Sequence, residues 1–344
     1  MKREGNDNNV ERGTLTFCIS RFTPPYIGPS RSITPHRMPR SHDIKNDLSL
    51  LFVILVWGFN FPIIKIVLAV MHPHVMNLFR LWAAALALGG LHFWQQKKTG
   101  EAFFAPLRTH GWHLFGLGLV GYLFYQFCFI VGVDNTTAGS AALILSSSPL
   151  WTAVAGHFFR FDIIRPLAWL GLLTTLVGAV VIVVGGTKVI DFSDATFLGN
   201  MVMMLAAVFW GSYTAFSKPL TRQISPAGIT FLGLLFALPV LTVLGVTYFD
   251  TVQWDRLNGW IWAAIIFSGS LSTGLTVVIW NSSVKYVGPA HTAVYGNLVP
   301  VIALFSGAWL LSEPITLTQI AGGVLILGGL FVMRRTRRRI ASPV

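Results

Sequence analysis

The phrase WGFNFPIIK, Trp57 to Lys65, returns as WGSYTAFSK, Trp210 to Lys218, in a chain of 344 residues. Each copy opens on Trp-Gly and, after six intervening residues, closes on a lysine. Both lie in long apolar surroundings. The apolar runs cover residues 48–70, 75–94, 111–133, 136–158, 167–186, 198–217, 229–248, 259–281, 287–311 and 316–333. Each is close to the ~20 residues that a helix needs to cross the hydrocarbon layer of a bilayer. They are rich in Leu, Val, Phe, Gly and Ala and lack the strict alternation of membrane-spanning strands. Helices satisfy their own backbone in lipid, so the pattern predicts an all-α integral membrane protein with ten transmembrane helices.

Composition agrees with a lipid partner. The chain is 53% hydrophobic and 11% charged, against about 25% charged for a soluble domain. Its net charge of +12 does not imply nucleic acid, because the basic residues sort by loop. With the N-terminus inside, the cytoplasmic loops hold Lys97, Lys98, Arg108, Arg160, Arg165, Lys218, Arg222 and Lys285, and the tail adds the RRTRRR cluster from Arg334. The outer loops hold only Lys188 and Arg256. This is the positive-inside bias, and it predicts two cytoplasmic termini in a cell (inner) membrane, with the basic tail attracted to anionic lipid.

The copies continue beyond the Trp-Gly phrases. Pro149 aligns with Pro300, Gly156 with Gly307, Asp162 with Glu313, Gly171 with Gly322 and Gly178 with Gly329. Five helices per copy is an odd number, so the second copy enters the membrane from the opposite side. The expected organisation is a disordered cytoplasmic tail at 1–47, a first five-helix repeat at 48–190, an inverted second repeat at 195–335 and a basic cytoplasmic tail at 336–344. The sequence MPRSHDIKND from Met38 reads as a natural start, which makes residues 1–37 a start-site artefact. Inverted repeats place a binding site near the bilayer midplane and give alternating access, a carrier's signature; a channel, or an accessory subunit without a transport cycle of its own, is the competing class.

Polar and aromatic groups inside the spans mark the expected cavity for a small-molecule metabolite: Trp57, Asn60, Tyr122, Tyr125, Gln126, Ser146, Trp210, Tyr213, Trp280, Asn281, Tyr295 and Asn297. Aromatic walls with a few amides suit a small-molecule site. Pro62, Pro149 and Pro300 each free a carbonyl four residues earlier, on Gly58, Leu145 and Gly296, and are expected as kinks. Arg80, about five residues into its span, either faces the cavity or snorkels; an arginine deep in a helix costs roughly 2.5 to 3.5 kcal/mol on insertion scales. Lys65 and Lys218 suit the negative ends of their helix dipoles as gates or anchors. Glycines 171, 178, 185, 322 and 329 recur at intervals of seven, as for close helix packing within the chain or in a homodimer.

No Asp or Glu falls in mid-span, which leaves His113, His157 and His291 as titratable groups near helix ends. Cys18 and Cys128 imply no disulfide framework and no metal set. Neither catalytic nor phosphate-cradling motifs occur, so neither an enzyme nor a cofactor is expected.

WGFNFPIIK, the segments AALILSSSPLWTAVAG (Ala141–Gly156) and NLVPVIALFSGAWLLSEPIT (Asn297–Thr316), and the closers GLLTTLVGAVVIVVGG and GGVLILGGLFVM resemble the EamA family of the drug/metabolite transporter superfamily. The resemblance covers about residues 48–336. It implies ten helices in two inverted repeats and movement of small metabolites, often amino acids or their derivatives, usually as efflux from bacteria. Where the family pattern has Glu, the first copy has Asp162; Glu313 keeps the usual form and precedes Pro314, where a carboxylate is expected to cap the last helix.

Overall fold

The computed structural model describes residues 40–159, 166–185 and 195–338, and every regular element among them is helical. The first copy comprises α1 (Arg40–Leu68), α2 (Pro73–Thr99), α3 (Ala105–Gly118), which runs through π-helical Leu119–Phe124 into α4 (Tyr125–Asn135), then α5 (Ala138–Leu145), α6 (Ser148–Phe158) and α7 (Pro166–Gly185). The second comprises α8 (Ala195–Leu220), α9 (Pro226–Val246), α10 (Gly259–Ile266), which runs through π-helical Phe267–Leu275 into α11 (Thr276–Val287), then α12 (Pro289–Gly296), α13 (Val299–Leu311) and α14 (Leu317–Arg338). Among the described residues, seven helical stretches are long and apolar enough to cross a membrane; Trp169–Ile182, Val299–Leu311 and Leu317–Gly329 are shorter apolar stretches. α1 already begins at Arg40, where a tail was expected up to residue 47. The question of residues 1–37, Asp162 and the last residues of the basic tail lie outside the described residues.

Helix ends follow local chemistry. Thr137, Ser225 and Asn258 are N-caps whose side chains accept from the backbone N–H groups of Ser140, Gly228 and Ile261 at 3.1, 3.1 and 3.0 Å, satisfying donors that lack an intrahelical partner. α2 stops at Gly100 and α11 at Gly288, whose φ values of 72° and 89° suit glycine.

In lipid, helices associate through close packing more than through apolar burial, and here glycines set the crossings. At Gly58 of α1 an added Cβ would meet Ile302 of α13, and the Gly58 carbonyl accepts the Ser306 hydroxyl at 3.2 Å. At Gly211 of α8 it would meet Ser148 and Trp151 of α6, and the Gly211 carbonyl accepts the Thr152 hydroxyl at 3.1 Å. The contact is made twice with the copies exchanged. Likewise Gly118 abuts the carbonyl of Gly233, and Gly269 abuts that of Arg80. Gly178 and Gly322 meet where α7 packs along α14, and Gly329 abuts Gly171 on the same face. These four glycines pack helix against helix within the chain.

α1 runs through Pro62 as one helix, and the carbonyl that the proline frees, on Gly58, accepts from Ser306. Pro149 and Pro300 do mark breaks, since α5 and α6 part at Ser146–Ser147, and α12 and α13 at Asn297–Leu298. In the first break Ser146 and Ser147 donate to the carbonyls of Leu143 and Ile144 at 2.6 and 2.7 Å.

Charged side chains tie one end of the bundle. The Lys65 ammonium donates to the carbonyls of Val133 and Thr136 at 3.2 and 2.5 Å, at the end of α4. It thus ties the end of α1 to protein backbone at the end of α4. Lys218 is half-buried in the last turn of α8. Glu313 does not cap its own helix. Its two carboxylate oxygens accept from the Ala138 N–H at 3.1 and 2.9 Å, capping α5 across 175 residues. Ser312, with φ of 54°, ends α13, and residues 314–316 separate Glu313 from α14, which has its own capping box: Thr316 N–H donates to Gln319 Oε1 at 2.9 Å, and Gln319 N–H to Thr316 Oγ1 at 3.3 Å.

Two outcomes follow. Gly211→Val, whose side chain would face the Ser148 backbone, is expected to destabilise the solubilised protein by about 1–3 kcal/mol, whereas Gly90→Ala, with nothing within 4 Å of the new Cβ, keeps or raises the melting temperature, alanine being the better helix former; equal melting of the two would contradict the crossing. Glu313→Ala should cost about 0.5–2 kcal/mol and speed amide exchange at the start of α5, and exchange accelerated at α14 instead would refute the assignment.

Candidate functional site

The two Trp-Gly phrases bring their indoles together. Trp57 of α1 and Trp210 of α8 meet edge-on with centroids 5.6 Å apart; Trp280 of α11 lies 5.1 Å from Trp57 and 6.0 Å from Trp210, and Tyr125 lies 5.0 Å from Trp210. Such pairs contribute about 0.5–1.5 kcal/mol each beyond burial. The Trp57 ring is fixed further by its N–H, which donates to the Ser272 carbonyl at 3.1 Å and the Thr276 hydroxyl at 2.7 Å.

This aromatic cluster sits where two cores adjoin. One is built from residues such as Ile54, Ile64, Ile130 and Met203, the other from Leu50, Leu81, Leu234 and Val284. Trp57, Tyr125, Leu145 and Tyr295 pack against both. A partly open cavity lies between them.

Of the residues expected at a cavity, Trp57, Asn60, Arg80, Tyr122, Tyr125, Gln126, Ser146, Trp210 and Trp280 line it, with Pro149. Four do not. Tyr213 is fully buried behind Tyr122, their hydroxyls 3.3 Å apart, because Gly121 of the π-helical turn leaves room for its ring. Asn281 follows Trp280 by about 100° around α11 and donates to the Tyr213 and Thr230 hydroxyls at 2.8 and 3.1 Å. The Tyr295 hydroxyl donates to Asp47 Oδ1 at 2.6 Å, linking α12 to α1. Asn297 falls in the break between α12 and α13, outside the lining.

The lining also includes residues that the spans' hydropathy did not mark, among them Ser272 and Thr273 of the second π-helical segment, Phe61, Phe129, Leu145 and Gly296. Leu145 and Gly296 are the two positions whose carbonyls Pro149 and Pro300 release. Both π-helical segments border the cavity, the first through Gly121 and Tyr122. Wide helical turns of this kind gather at functional sites, and the only sequence signal for them is glycine beside small polar residues, as in FSGSLSTGL.

Arg80 does not snorkel. It is 1% exposed, and its Nη2 donates to Asn77 Oδ1 at 2.8 Å and Gln126 Oε1 at 2.5 Å. The guanidinium carbon lies 5.3 Å from the Phe129 ring centroid, in cation–π range. Arg80 O faces Gly269, and this backbone approach is what brings α2 close enough to direct the side chain inward. Its sequence counterpart, Gly233, meets the Tyr122 ring instead, 3.2 Å from an added Cβ. The cavity is therefore electrostatically one-sided.

Comparison with known proteins places this architecture. A model of the EamA-like transporter family matches residues 44–184 and again residues 197–335. A Bacillus subtilis protein described as an uncharacterized transporter, YoaV, is 26% identical over 303 residues, covering 86% of this chain and 100% of that protein. A Salmonella typhimurium protein described as a "Probable amino-acid metabolite efflux pump" is 26% identical over 309 residues, covering 86% and 98%. One solved crystal structure shares the fold, with a TM-score of 0.61 at 18% identity over 87% of this chain and 99% of that one. The family's model thus fits once on each copy of the Trp-Gly phrase, and this multi-pass membrane protein belongs to the EamA-like transporter family.

Proposed function

We propose that the chain is a secondary transporter of small metabolites, amino acids or related compounds, and that it works as an exporter by alternating access around the central cavity. The observation that carries this reading is that both copies contribute equivalent parts to one cavity: Trp57 and Trp210 at its wall, and helix breaks before Pro149 and Pro300 beside it. In this reading the ten helical units are ten spans in two inverted five-helix repeats, in the cytoplasmic membrane with both termini cytoplasmic. The loop distribution of Lys and Arg supports the orientation, and the contacts repeated with the copies exchanged support the inversion.

Ties at both ends of the bundle supply the two gates. One set joins α1 to α4 through Lys65 and the α13–α14 turn to α5 through Glu313. The other joins Tyr295 to Asp47 and, on the cytoplasmic side, His110 to Gln223 at 2.5 Å. Releasing one set while the other holds exposes the cavity to one side at a time, and the hinges are the proline breaks and π-helical turns. No single tie is worth more than a hydrogen bond to a charged group, about 1.5–3 kcal/mol, which keeps both states within thermal reach.

Purified protein in liposomes preloaded with labelled amino acids and their derivatives is expected to release label, and Trp210→Ala to lower that flux about tenfold or more, as loss of a central aromatic anchor does. In a chain with Cys18 and Cys128 replaced, single cysteines at His72 and Arg222 are expected to react from opposite faces of the membrane. Absence of flux for every compound sinks the carrier reading, and labelling from one face sinks the inverted repeat.

A further inference from the structure

We infer that the cavity selects organic acids of net charge −1 that carry an uncharged polar group, with the carboxylate held by Arg80, in preference to zwitterions and cations. This deepens the transporter reading and rests on the cavity being the transport site. The first observation is charge. Arg80 lines the cavity at 1% exposure, and its hydrogen-bond acceptors, Asn77 and Gln126, are neutral amides. None of the described lining residues is Asp or Glu. A guanidinium offers five N–H groups in a fork that matches a carboxylate. Two bonds run from Nη2, and the Nε–H is buried with no protein partner among the described residues.

The second observation is the pattern of remaining polar atoms. Asn60 Oδ1 is a buried acceptor and Trp280 Nε1–H a buried donor, neither with a protein partner among the described residues. Both residues line the same cavity. A ligand that meets all three needs a carboxylate for Arg80, a neutral donor for Asn60 and an acceptor for Trp280. An N-acylated amino acid or a hydroxy acid has these groups, and an apolar body would rest against Trp57, Trp210 and Phe129.

Charge balance decides against the alternatives. A monoanion brings the site to neutrality. A zwitterion leaves its charge at +1, because its ammonium finds only amides and aromatic faces. A cation raises it to +2 in a place of low dielectric, where like charges repel strongly. Arg80 also ties α2 to the segment of Gln126, but two neutral acceptors do not require a permanent charge. The asymmetry with Gly233 means that the acid is held on the first copy only.

Four probes of one shape test this: N-acetyl-phenylalanine (−1), phenylalanine (zwitterion), phenylalaninamide (+1) and N-acetyl-phenylalaninamide (neutral). Binding to the full-length protein in lipid nanodiscs is read by tryptophan fluorescence, and flux is read in liposomes. The acid is expected to bind at least tenfold more tightly than each of the other three. Arg80→Gln should abolish that preference, and Arg80→Lys should keep part of it. Equal or tighter binding of the zwitterion, or no binding of the acid at millimolar concentration, overturns the inference. The four-probe comparison in wild type does not depend on any variant folding. Tight binding of the acid without flux of any probe would leave this inference standing and defeat the transport reading. Flux carried by the zwitterion alone would do the reverse.

Discussion

Where hydrocarbon surrounds a helix, a backbone carbonyl released from its ladder must find a donor inside the protein, and this constraint organises the centre of the molecule. Each Trp-Gly phrase brings a helix so close to a broken helix of the other copy that a hydroxyl reaches the glycine carbonyl: Ser306 to Gly58 and Thr152 to Gly211. The glycine permits the approach, the hydroxyl satisfies the carbonyl that Pro62 releases on Gly58 and adds a second bond to that of Gly211, and the neighbouring indole is carried into the aromatic cluster. Changing the glycine would therefore disturb packing, polar satisfaction and the aromatic wall together.

Much of this was legible in the sequence because it depends on local chemistry. Trp57 and Trp210 could be placed near the centre from their depth in the apolar runs, and Pro149 and Pro300 announced their breaks by the missing N–H. What could not be read depends on partners distant in sequence. The Gly58 carbonyl that Pro62 frees finds its donor in Ser306, 248 residues away. Glu313 caps α5 and not its own helix, since the sequence says that a carboxylate precedes a helix but not which helix end lies nearest. The fate of Arg80 turned on Gly269, whose lack of a side chain admits the α2 backbone.

The sites that departed from local expectation border the cavity or tie the ends of the bundle. The π-helical segments contradict the regular helix that their hydropathy suggests, and both contribute to the lining. Tyr213 and Asn281 have the polarity of lining residues, yet they form a buried layer with Tyr122 and Thr230. This layer holds the ring of Tyr122 in place from behind, so that residues one step removed from the cavity still set its shape.

The pairing of Gly233 with Tyr122 bears on how such a chain can be assembled. Two identical halves, each carrying arginine at the position of Arg80, would drive a second guanidinium into the ring of Tyr122, where the added Cβ alone comes within 3.2 Å. The two copies have thus become complementary parts rather than interchangeable ones. A shorter protein containing only residues 44–184, dimerising with itself, would lack the room beside Tyr122 that this fused chain reserves.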